Sequence, residues 1–240
     1  MFMRNIFLSL IVLVFATAIY AQEKVINDPN AEVRTVASFT GIKVSTGIEL
    51  LLTQGNEDAV AVSSSKKEYT NRIITEVDNG VLKIYFNNKD GWENNHKNTR
   101  LRAYVSVRNL NKLHGSSGAT VKVDGVLNAP ALDMDFGSGS IFNGEIKGSN
   151  LNLKQGSGSI VNITGEVETV SLKSSSGSIC KGYGLASQTC DADASSGGII
   201  EISVAKELEA EASSGGLVHY KGTGTIKNMS TSSGGSIRKG

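Results

Sequence analysis

The chain is poor in most of the residues that carry recognisable chemistry. Its 240 residues include two cysteines, two prolines, three histidines and one tryptophan, and aromatic residues make up 6%. Two cysteines are too few for a disulfide-stapled scaffold or a four-cysteine zinc site. His96, His114 and His219 are dispersed, and no two share a metal-ligand spacing. Charge of one sign is missing as well: 24 Lys+Arg stand against 23 Asp+Glu. A near-neutral chain has no long-range attraction for nucleic acid or an anionic membrane. No Gly-x-Ser-x-Gly sits at a strand-to-helix turn, and no Gly-Lys-Ser/Thr follows the Gly-Ser phrases. These gaps leave no nucleophile elbow and no phosphate loop.

The first residues read as an address. Arg4, the apolar run Ile6–Ile19 and the exit Tyr20-Ala21-Gln22 have the pattern of a secretory leader. Cleavage is expected after Ala21, with Ala18 as the alternative, and loss of Arg4 would bring the net charge to zero. No cysteine lies near the site, so lipid attachment is not signalled. The run is too short for a membrane span. An exported, oxidising setting leaves two states open for Cys180 and Cys190: a disulfide, or two buried thiols.

Glycine is abundant, with 27 residues, and it is periodic. A Ser-Gly phrase returns at Gly118, Gly139, Gly158, Gly177, Gly197, Gly215 and Gly234, at steps of 18 to 21 residues. Such a period marks a stacked-repeat architecture. With the glycine at position 8 of each repeat, position 3 holds Leu113, Met134, Leu153, Leu172, Ala192, Ala210 and Met229. Position 11 holds Val121, Phe142, Val161, Cys180, Ile200, Val218 and Ile237. Positions 2 and 4 are polar, so each repeat alternates with the period of a strand that has one face inward. Stacked rungs about 4.8 Å apart would share a slim core. Its lining shrinks from Phe136 and Leu172 to Ala192, Ala194, Ala210 and Ala212, which predicts a narrower section toward the C-terminus.

The expected fold is therefore all-β: a right-handed parallel β-helix, or solenoid, with coils of about 19 residues in the C-terminal half. Less regular coils or hairpins are expected in the N-terminal half. Residues 1–21 are read as signal peptide, 22–32 as a flexible arm and 33–240 as one domain, irregular over 33–110 and regular over 111–240. Asp78-Asn79-Gly80 marks a hairpin. The Asn-rich stretch 87–100 reads as an exposed loop and carries Trp92, the one ligand-contact candidate. That ring could stack on a sugar or fold back on its own strands.

Several phrases resemble a known family: Phe39-Thr-Gly-Ile-Lys-Val44, Gly47, Leu52-Thr-Gln-Gly55, Val105–Gly118 and the serial Ser-Ser-Gly-Ser-Ile repeats. They are similar to the exported bacterial β-solenoids described as putative auto-transporter adhesin, head GIN domain. The resemblance implies a right-handed β-helix and an exported location, and it brings no catalytic residues. No membrane-barrel segment follows the repeats, so self-export is not expected.

Asp191, Asp193, Glu209 and Glu211 fall at outward positions of adjacent coils. Stacked carboxylates could hold a hard cation such as Ca²⁺; the alternative is a solvated acidic patch. No cofactor and no catalytic residue is expected. The sequence points to a non-enzymatic exported binding protein of the cell envelope, its partner a glycan or a surface protein. A structural envelope module and a carbohydrate-active β-helix enzyme are the other readings.

Overall fold

The computed structural model describes residues 28–88 and 99–240. The expected leader, Trp92 and His96 lie outside the described residues. The chain runs through β1 (Glu32–Arg34), β2 (Gly41–Val44), β3 (Glu49–Gln54), β4 (Ala59–Ser64) and a 3-10 helix (Lys67–Arg72). Next come β5 (Ile73–Asp78), β6 (Val81–Phe86), β7 (Leu101–Val107), β8 (Lys112–Gly115) and β9 (Thr120–Asn128). β10 (Ala131–Phe136), β11 (Ile141–Gln155), β12 (Ile160–Ser174), β13 (Ile179–Ala194) and β14 (Ile199–Ala212) follow. β15 (Leu217–Lys221), β16 (Thr225–Thr231) and β17 (Ser236–Lys239) complete the series.

All seventeen pair into one continuous sheet wound on itself. From β8 onward every pairing is parallel, and the register keeps each repeat position in one row. Met134 pairs with Leu153, Leu153 with Leu172, Leu172 with Ala192 and Ala192 with Ala210. Parallel pairing at one-coil spacing is the defining geometry of a solenoid with coils of about 19 residues, as the period predicts. The long strands β11 to β14 pass from one wall to the next without leaving the sheet. Their inward residues on that third side include Ile146, Val167, Leu185 and Val204, all buried.

Two left-handed residues close each corner. The glycines have φ between 69° and 79°, and the serine before each is left-handed too, from Ser117 to Ser233 at 46° to 52°. Left-handed backbone at both central positions is a type I′ turn. The turn bond is present throughout, for example Ser140 N–H to the Gly137 carbonyl at 3.1 Å. Each corner also bonds to the next along the axis: Gly139 N–H reaches the Ser157 carbonyl at 3.0 Å and Gly158 N–H the Ser176 carbonyl at 3.1 Å. Thr46-Gly47 makes the same corner in the first coil.

The residue after the corner reports the width of the column. Ser140 and Ser159 are fully buried and donate to the carbonyls of Gly115 and Phe136, at 2.9 and 3.0 Å. Ser178 is buried at the same position in the next coil, and after it the position is Gly198, Gly216 and Gly235, where a Cβ would overlap the carbonyls of Ser174, Ala194 and Ala212. The corner closes down just where the core side chains shrink to alanine.

The N-terminal half caps this column. β2 and β3 lie on β8 and β9 as a first coil, and β6 and β7 lie on β2 and β3. Beyond them the pairing turns antiparallel: β5 on β6, and β4 on β7 with β1 outside it. Asn79 (φ 49°) and Gly80 (φ 74°) form the hairpin turn between β5 and β6. Ahead of β1, Asp28 accepts hydrogen bonds from Ser63 Oγ and Tyr104 Oη, both at 2.7 Å. At the opposite end β16 and β17 have a neighbour on one side only. Met229, at an inward position, is consequently 41% exposed there.

Candidate functional site

The regular coils put their chemistry on flat outer walls, because inward positions are consumed by the core. The four acidic residues singled out above come together in two rows: Asp191 beside Glu209, and Asp193 beside Glu211. Lys173 Nζ lies 3.9 Å from Asp193, and Lys227 is bonded to the neighbouring Glu207 at 2.6 Å. Among the described residues, no three acidic, histidine or cysteine side chains converge as a metal-holding group. His219 lies between Glu201 and Arg238 on adjacent rungs. His114 lies between Lys43 and Asp135, and its pKa is lowered, chiefly by burial.

Cys180 and Cys190 are free thiols. Both are buried in the core, and burial pushes the Cys180 thiol up to about 12 and Cys190 higher still. Neither is a nucleophile at neutral pH.

Two open grooves run along the walls. One, of about 440 Å³, crosses the polar rows of Lys112, Asp133, Asn152 and Ser171. Asn152 Nδ2 donates to Asp133 Oδ1 there at 3.1 Å. The larger, about 640 Å³, follows position 12, the row of Lys122, Asn143, Asn162, Lys181 and Glu201. Tyr183 and Thr164 border it.

Tyr183 owes its place to a break in register. Asn162 pairs with Lys181, but Thr164 pairs with Gly184, so β13 spends three residues where β12 spends two. The extra residue makes a bulge, which re-aims a side chain out of the alternation. Lys221 Nζ stands over the ring, 4.2 Å from its centroid. Burial, and then the Glu201 carboxylate, raise the pKa of the Tyr183 hydroxyl, which keeps it neutral.

Sequence reasoning passed over Tyr183, and it passed over a second feature. Ile141, Ile160, Ile179, Ile199 and Leu217 stack in one row on the outside, each partly exposed. The signal was available: position 10 lies next to inward position 11, so alternation sends it outward.

A narrow hydrophobic interior and stacked parallel rungs define a parallel β-solenoid. The chain belongs to the family described as putative auto-transporter adhesin, head GIN domain, whose model matches residues 38–224. Solved structures share the fold. A putative adhesin from Bacteroides fragilis NCTC 9343 is 18% identical with a TM-score of 0.79, over 87% of this chain and 95% of that one. A putative adhesin from Parabacteroides merdae ATCC 43184 is 14% identical with a TM-score of 0.65, over 88% and 95%. A putative lipid binding protein from Parabacteroides distasonis ATCC 8503 is 19% identical with a TM-score of 0.65, over 89% and 98%. Among curated proteins nothing matches the chain.

Proposed function

We propose that this protein is an exported, non-enzymatic binding module of the cell envelope that holds its partner along the flat walls of the column. The observation that carries the reading is the pair of open grooves along the rungs, each crossed by polar side chains that repeat once per coil. Such a surface offers many equal hydrogen-bonding positions rather than one converging set of acid, base and nucleophile. Family membership supports an adhesive role. The leader-like residues 1–21 and the absence, among the described residues, of a helix able to cross a membrane fit export.

The test has two arms. The chain purified from the envelope or medium should have the mass expected without residues 1–21; retention of the leader would count against export. The immobilised protein should then retain envelope polysaccharide or surface protein from fractionated cell material, without releasing fragments. Retention of nothing would overturn the binding reading, and release of oligosaccharide fragments would move it to the enzyme class.

A further inference from the structure

We propose that the groove beside Tyr183 is a binding site for a neutral oligosaccharide, an assignment that rests on the binding-module reading. Asn162 Nδ2 donates to Asn143 Oδ1 at 2.8 Å. Among the described residues that bond leaves the amide nitrogen of Asn143 and the carbonyl oxygen of Asn162 without other partners. A carboxamide has two donor hydrogens and two acceptor lone pairs, so the pair presents free donors beside a free acceptor, one rung apart. A sugar hydroxyl both donates and accepts, and a row of hydroxyls along a chain of rings matches this row.

Charge selects the class further. Lys122 is bonded to Glu49 at 2.6 Å, a carboxylate it shares with Arg102, so its ammonium is already engaged. Lys181 and Glu201 are register neighbours but form no ion pair. Lys181 and Glu201 offset each other in the lining, and the other two cations are engaged, Lys122 with Glu49 and Lys221 over the Tyr183 ring. Such a lining has no run of unengaged cations to hold a polyanion. An added peptide strand is disfavoured as well, because strand addition needs an open sheet edge and the backbone here is already paired on both sides.

Tyr183 supplies the remaining element. The bulge holds its ring beside the groove, with Lys221 over one face of the ring. An amphipathic ring of this kind packs against the C–H face of a pyranose while its hydroxyl stays wet. The Asn pair, the Lys181–Glu201 pair and one aromatic edge thus form a polar floor with an apolar side.

The test is calorimetric titration of the whole exported chain with cellohexaose, xylohexaose, laminarihexaose and chitohexaose, with hexagalacturonate as the charged control. At least one neutral hexasaccharide should bind. Tyr183→Ala should weaken that binding about tenfold, Asn162→Ala severalfold, and Tyr183→Phe by much less, with all three variants melting like the parent. Binding of hexagalacturonate alone, or of none of the neutral sugars, overturns the ligand class. Undiminished binding by Tyr183→Ala overturns the site while leaving the module reading intact. That reading falls separately, if the immobilised protein retains no envelope material at all.

Discussion

Ser157 and Gly158 hold left-handed backbone at φ of 49° and 69°, and neither is replaceable on the same terms. A Cβ at Gly158 meets nothing within 4 Å, so an alanine there pays in conformation alone. Gly158→Ala should lower stability by about 1–2 kcal/mol, measured by urea unfolding. Ser157 already carries that strain, so Ser157→Gly should be close to neutral, the relief offset by a more flexible unfolded chain. A large loss on Ser157→Gly would mean the serine hydroxyl matters more than its backbone. The same scale explains why Ser140 and Ser159 are buried without penalty: each hydroxyl finds a carbonyl one coil away.

At the scale of one strand, the rungs differ in how much they fill the interior. Leu172 on β12 is buried between Leu153 and Ala192. Leu172→Ala should cost about 2–5 kcal/mol, because rungs held on both sides cannot collapse into the space. Ala210→Leu, on β14, should cost about 1–3 kcal/mol by overfilling. There Gly216 already brings the corner against the Ala194 carbonyl. Similar unfolding midpoints for Ala210→Leu and the parent would show that the narrow section can widen.

For the whole molecule, the ends are built differently and should respond differently to acid. Glu49 on β3 accepts from Lys122 Nζ on β9 and Arg102 Nε on β7, at 2.6 and 2.9 Å. Hydrogen bonding by Lys122 leads in holding its pKa below the ordinary value. The bonds from Ser63 and Tyr104 do the same for Asp28, and Arg108 for Asp58. Carboxylates depressed in the folded state give stability that is present above the unfolded value, about 4, and is lost as pH falls below it. Half-buried His114 acts earlier: the unfolded chain takes up its proton first, so stability begins to decline as pH falls through about 6.5. The N-terminal strands should therefore lose amide-exchange protection before β11 to β14 on acidification. Glu49→Gln should flatten the acid limb and His114→Gln the limb near neutrality. Earlier loss of protection in β11 to β14 would contradict this.

The sequence by itself determined the column. Alternation told inward from outward, and the recurring Ser-Gly set the coil length, because stacked rungs tolerate one register and a slip of one residue would turn Leu153 and Val161 out to water. The acidic rows at Asp191 and Glu209, and the isoleucine row outside, were equally open to reading from that period. Tertiary structure alone decided the place of Tyr183, because a bulge exists only relative to the neighbouring rung. It also decided the antiparallel cap. Strands β4, β5 and β1 carry ordinary strand patterns, and only the exposed edges of β6 and β7 dictate how they close that end.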